Sequence, residues 1–182
     1  MQPQFNEAKA TQLAAALLRL RGAPMSYMKL IKLMYLIDRE ALLRWGRPVS
    51  TDNYVSMNNG PVLSTTYDLI TEGAIPGSES VWTQFIGPAA NYEVSLLKEA
   101  PTDELSRAEK DLIQEIFSRF GRMGRWELVK WAHDNLPEWT NPSGTSIPIS
   151  YRDILKAGNK SEVEIAAIED ELKHLAVLRL VI

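Results

Sequence analysis

The chain contains no cysteine. Disulfides, thiolate metal sites and cysteine nucleophiles are therefore excluded, and a reducing cytoplasm is its natural setting. Histidine is almost as scarce. His133 and His174 are the only two, and they lie too far apart in sequence to suggest a shared metal. No Gly-x-x-x-x-Gly-Lys loop is present to cradle a nucleotide phosphate, and there is no Gly-x-Gly-x-x-Gly, Gly-x-Ser-x-Gly or His-Glu-x-x-His. A surplus of positive charge is missing too. Lys and Arg number 20 against 23 Asp and Glu, a net charge of −3. A protein that coats nucleic acid neutralises phosphates with excess cations, so nucleic acid is an improbable partner.

Long apolar runs are also absent. The most apolar stretch, Met28 to Ile37, carries Lys29 and Lys32 and ends at Asp38-Arg39-Glu40, too short and too charged to cross a bilayer. The opening residues, Met1 to Glu7, have neither a basic nor an apolar region, so no signal peptide is expected. What is present suffices for a real core: 182 residues, 45% of them hydrophobic. That length fits one domain.

The spacing of apolar residues predicts a mainly α fold, a compact helical domain of about seven helices with one small β-hairpin. A first helix runs from Asn6, its N-cap, to about Leu20, with Leu13, Leu17 and Leu20 on one face. Ser26 caps a second helix to about Trp45. It is apolar nearly all round, with a narrow polar strip through Lys29, Lys32 and Arg39, and so is the buried central strut. Tyr54–Met57 reads as extended. Asn58-Asn59-Gly60-Pro61 is a turn, with Pro61 opening a third helix from about Val62 to Thr71. Val81–Ile86 and Tyr92–Leu97 are rich in β-formers and are joined by Gly87–Asn91, which predicts the hairpin. Ser106 with Glu109 is a capping box for a fourth helix, and a fifth covers about Arg125 to Asn135. Ser150 caps a short sixth helix to Ala157. Ser161 with Glu164 opens a seventh to about Leu175, followed by an apolar tail to Ile182 that should pack.

Three of the five tryptophans, Trp126, Trp131 and Trp139, cluster around the fifth helix and lead into the loop from Trp139 to Ile149. Trp131 falls next to the apolar face and reads as core. Trp126 and Trp139 stand at the two helix ends, where they either staple loops or anchor a partner. His133, on the border of the polar face, reads first as a packed ring with one hydrogen bond to a carbonyl, and otherwise as a partner contact. Arg119, Arg122 and Arg125 gather at the preceding turn, either solvated near a helix C-terminus or forming an anion-binding patch. The first two helices could be mistaken for a helix-turn-helix. The second would then have to expose Met28, Ile31, Leu33 and Met34 to base edges, which rules that reading out.

Lys29-Leu30-Ile31-Lys32-Leu33-Met34-Tyr35, then Asn59-Gly60-Pro61-Val62 with Tyr67, resemble the two N-terminal motifs of the Panacea domain family, the SocA-like, phage-associated antitoxins. Glu127-Leu128 with His133 and Trp139, and Ser146-Ile147-Pro148-Ile149-Ser150-Tyr151-Arg152-Asp153-Ile154-Leu155, resemble its third and fourth motifs. The resemblance covers about Ala10 to Gly158, with the C-terminal helix and tail from Ser161 packed on that core as part of one domain. It implies a cytoplasmic antitoxin of a bacterial or phage toxin–antitoxin pair that neutralises a cognate protein toxin by direct contact. With the catalytic and metal motifs missing, no enzyme activity, catalytic residue, metal or cofactor is expected. Alternatives are an adaptor presenting a partner to a protease, a DNA-binding regulator, or a hydrolase using His133. The expected partner-binding residues are Arg122, Arg125, Trp126, Trp139, Ile147 and Tyr151. Gly60, Pro61, Tyr67, His133 and Pro148 are expected to serve the structure.

Overall fold

The strut of the molecule is the second helix, and the rest is arranged around it. The computed structural model describes residues 3–74, 77 and 79–178. Among these, eight helices and five short strands follow in chain order. They are α1 (Glu7–Arg21), β1 (Met25–Ser26), α2 (Tyr27–Trp45), β2 (Tyr54–Met57), β3 (Gly60–Leu63), α3 (Ser64–Thr71), α4 (Val81–Phe85), β4 (Glu93–Val94), α5 (Arg107–Phe120), α6 (Arg125–Asn135), β5 (Ile147–Ile149), α7 (Tyr151–Ala157) and α8 (Glu162–Leu178). The fold is mainly α, but it carries two small antiparallel sheets where one hairpin was expected: β1 with β4, and a three-stranded sheet in the order β3-β2-β5.

α2 packs against α1, α5, α6, α7 and β3. Ile31 and Met34 are buried, and each full burial of such a side chain is worth about 1.5–3 kcal/mol. The polar strip expected through Lys29 and Lys32 is not a solvated face. Both lysines are buried, and each donates to a backbone carbonyl: Lys29 Nζ to Gly121 at 2.6 Å, and Lys32 Nζ to Pro61 at 2.9 Å. Ser26 stands at the N-cap of α2 but makes no capping hydrogen bond, because its residue pair with Met25 is a strand paired to Glu93–Val94.

The helix caps read from sequence are mostly present. Asn6 Oδ1 accepts from the Lys9 N–H, and Gly22 closes α1 at φ 67°. Ser106 and Glu109 form the reciprocal box at α5, whose Leu112, Ile113, Ile116 and Phe120 are buried. Glu109 also takes Lys9 Nζ at 2.6 Å, which ties α5 to α1. Ser150 caps α7 through Asp153, and Ser161 with Glu164 forms a reciprocal box at the start of α8.

Two elements differ from the sequence reading. Val81–Phe85 is a helix, not a strand. Ser80 Oγ accepts from the Thr83 N–H and itself donates to Glu7, which also accepts from the Trp82 N–H at 3.0 Å. These ties to α1, with Trp82 fully buried, override the β-propensity of the segment. The hairpin lies elsewhere. Tyr54–Met57 and Gly60–Leu63 pair around Asn58-Asn59, with Met57 opposite Gly60. Pro61 therefore does not open a helix. It sits in β3 at the sheet edge, where a strand tolerates a missing N–H. α3 starts three residues later, and its first N–H groups are capped from a distance: Asp52 accepts from Thr65 N and Thr66 N, both at 2.9 Å. Of the apolar tail, Ala176 is buried while Val177 and Leu178 are exposed, and residues 179–182 lie outside the described part.

Candidate functional site

The first half of α2, the β2–β3 hairpin, α3 and the loop before β5 line a half-open cavity of about 260 Å³, with Asn58 and Asn59 at its hairpin side. Met28, Ile31, Met57 and Val62 give it apolar walls, Tyr27 and Tyr67 meet edge to face beside it, and Gly144 and Thr145 close it from the loop. Lys32 also lines it. This lysine is 3% exposed, and burial alone draws its ammonium down to about 7. The charge is thus held in an apolar setting with one carbonyl partner, which makes it costly as it stands. Gly60 completes the arrangement. Its φ is +102°, and a Cβ there would lie 3.0 Å from Lys32 Cε and 3.6 Å from Ala132 Cβ. The Lys32, Gly60-Pro61 and Tyr67 motifs, separated in sequence, therefore meet at one place.

α6 closes the back of this region. His133 stacks on Trp139 with ring centroids 3.9 Å apart and planes at 15°. Trp139 in turn donates its indole N–H to the Met57 carbonyl at 2.9 Å, so the loop after α6 is stapled to the hairpin. The hydrogen bond to a carbonyl expected of His133 is not made. Its Nε2 is buried with no partner among the described residues, and the ring's contact is the stack on Trp139. Among the described residues no carboxylate is hydrogen-bonded to its Nε2.

The other end of α2 holds a second buried polar group. Asp38 accepts from Val49 N and Ser50 N at 2.9 Å, from Tyr54 OH at 2.9 Å, and from Ser50 Oγ. Burial raises its carboxyl to about 6 against the pull of these hydrogen bonds. Nearby, Glu138 accepts from Tyr35 OH at 2.9 Å and from Arg39 Nε at 2.7 Å. Tyr151 belongs to this network. Only 4% exposed, it packs on Tyr54 at 5.6 Å and donates to the Asp52 carbonyl at 3.3 Å.

The residues expected to face a partner thus divide. Trp126 is 58% exposed, with the Arg125 guanidinium 5.6 Å from its ring centre, and Arg122 is exposed on the same turn. Ile147 is 38% exposed and Pro148 is exposed, both in β5. Trp139 is half-buried by its staple and Tyr151 is core, so neither offers its ring freely to solvent. Trp126 lies in the first turn of α6, while Trp139 follows the end of that helix and folds back onto His133, two turns further along it. The sequence reading missed Lys32 as a site residue. The available signal was a pair of lysines, Lys29 and Lys32, within a stretch otherwise apolar, each of which needs a specific partner to be buried. Among the described residues no group of three or more His, Asp or Glu could hold a metal.

The model of the antitoxin SocA-like Panacea domain matches residues 30–140, more than half of the 182-residue chain, and the chain belongs to that family. The match takes in Lys32, Gly60-Pro61, Tyr67, His133 and Trp139, and ends before the Ile147–Leu155 segment. Neither the curated proteins nor the solved structures compared with the chain contain a match.

Proposed function

We propose that this chain is the antitoxin of a toxin–antitoxin pair, acting in the cytoplasm by direct, stoichiometric binding of a cognate protein toxin. Family membership carries the reading, and the surface chemistry supports it. Trp126 is a large aromatic group left in solvent at the start of α6, flanked by Arg125 and Arg122. Tryptophan and arginine are the residue types that dominate binding energy at protein interfaces. The β5 edge adds a second, apolar patch through Ile147 and Pro148, stiffened by a proline that limits the entropy lost on docking.

The test is co-expression with the product of the adjacent gene. Wild-type protein is expected to co-purify with that product and to restore growth. Trp126→Ala and Arg125→Glu, both at exposed positions, are expected to weaken the complex and release toxicity while the melting temperature stays unchanged. Full neutralisation by both variants would remove the α6 turn from the interface. Failure of the wild type to protect against any neighbouring product would sink the antitoxin reading itself.

A further inference from the structure

The cavity beside Lys32 has the features of a ligand site, and its chemistry is narrow. Four of its walls are aliphatic or thioether groups: Met28, Ile31, Met57 and Val62. Its cationic residue is Lys32, which spends one hydrogen bond on the Pro61 carbonyl and, as a lysine, has three to give. Among the described residues no carboxylate forms an ion pair with it, although other lysines of the chain, such as Lys9 and Lys130, do have acidic partners. A cation taken out of water without a counter-ion is stabilised by an anion brought to it. Two further observations limit which anion. With one cationic group and no arginine in the lining, the site suits a single negative charge better than a doubly charged phosphate. A volume of about 260 Å³ with apolar walls suits a short apolar body, of the size of one or two amino-acid residues.

We infer that this cavity binds a monocarboxylate carried on a short apolar body, with the carboxylate on the Lys32 ammonium and the body against Met28, Ile31, Met57 and Val62. Such a group is presented equally by a free branched-chain acid and by the C-terminal residue of a polypeptide. Gly144 and Thr145 belong to the loop that Trp139 staples to the hairpin, so binding here would order that loop further. The site stands apart from the antitoxin reading: it is assayed with small molecules alone, and its failure would leave toxin binding untouched.

The experiment uses the intact protein with methyl-labelled methionine, held at about pH 6 so that Lys32 keeps its proton, and titrated with N-acetyl-leucine, N-acetyl-leucinamide and 4-methylpentanoate. Ligands of this size are expected to bind with a Kd on the order of millimolar. The expected result is a saturable shift of the Met28 and Met57 methyl signals with the two acids, while those of Met25, Met34 and Met123, outside the cavity lining, stay in place. The neutral amide should bind about tenfold or more weakly. Tighter binding of N-acetyl-leucine than of 4-methylpentanoate would identify a chain terminus as the natural source, and the reverse order a free acid. Lys32→Met should abolish the preference for acid over amide. Equal binding of acid and amide by the wild type, or no shift at Met28 and Met57 with either acid, overturns the inference without reference to any variant.

Discussion

The two halves of α2 bury charge in opposite ways. Toward its C-terminal end, Asp38 collects two backbone N–H groups and two hydroxyls, and Arg39 meets a fully buried Glu138. Toward its N-terminal end, Lys32 has one carbonyl and a cavity. Both groups are almost wholly out of water. A buried polar group whose bonds are all made fixes structure, whereas one left short of partners is poised to take another. The first region is therefore where substitution should unfold the chain, and the second where it should change binding and the response to pH.

The largest effect is expected at Asp38. Asp38→Ala would strand the Val49 and Ser50 N–H groups and the Tyr54 hydroxyl in the core. Each such group costs about 1–3 kcal/mol, and the sum of the three, of order 3–9 kcal/mol, is a large part of a domain's stability. Urea denaturation should show the midpoint collapsing. A loss no larger than that of Lys32→Met would erase the contrast between the two halves.

Lys32 is expected to act mainly through pH. Its folded-state value is lowered to about 7 from an ordinary 10.5 by burial. Between these values the unfolded chain holds the proton and the folded chain does not, so stability rises with pH through that window. Below about 7 both states are protonated and the penalty is constant. Wild-type protein should thus gain relative to Lys32→Met by up to about 1.4 kcal/mol per pH unit between pH 7 and 9. Paired denaturation curves at pH 7, 8 and 9 would measure this, and a difference that stays flat would show that the lysine carries no burial penalty.

Gly60 links the cavity to the hairpin, and its effect should be intermediate. At φ +102° any side chain is strained, and the new Cβ would press on Lys32 Cε at 3.0 Å. Gly60→Ala should cost about 1–3 kcal/mol through backbone strain. It should also displace Lys32, so the binding of N-acetyl-leucine is expected to fall with the melting temperature. Loss of stability with unchanged ligand affinity would separate the hairpin from the cavity.

Local signals made part of this legible in the sequence. The Ser106–Glu109 box, the i, i+4 faces of α1 and α5, and the Ser150 cap each depend on residues within one or two turns, and the structure has them. Long-range partners were not legible. Lys29 and Lys32 look like a solvent strip until Gly121 and Pro61, 92 and 29 residues away, are brought to them. Val81–Phe85 has strand propensity, and only its ties to Glu7 on α1 make it helical. Pro61 has the chemistry of a helix start, but the pairing of Ser56 with Pro61 places it in a strand, and Asp52 supplies the cap that α3 needs. The cavity is assembled from four such separated segments, so the sequence could flag the lysine as odd in its stretch but could not show what it faces.

The smallest effect on stability, and the sharpest on function, is expected at Trp126. More than half of this side chain is in solvent, and its one marked contact is the Arg125 guanidinium over its ring. An exposed cation–π pair of this kind is worth about 0.5–1 kcal/mol, and surface substitutions generally fall within about 0.5 kcal/mol. Trp126→Ala should therefore leave the denaturation midpoint nearly unchanged, at pH 7 and pH 9 alike. If the residue anchors a toxin, removing it should weaken that complex by about 2 kcal/mol or more, some thirtyfold in Kd. The ratio of these two numbers is what distinguishes an anchor from a staple. Trp139→Phe gives the opposite profile: it breaks the indole bond to Met57, costs about 1 kcal/mol of stability and loosens the loop over the cavity. Should Trp126→Ala destabilise as much as Trp139→Phe and leave toxin binding intact, the α6 turn is packing and the interface lies elsewhere.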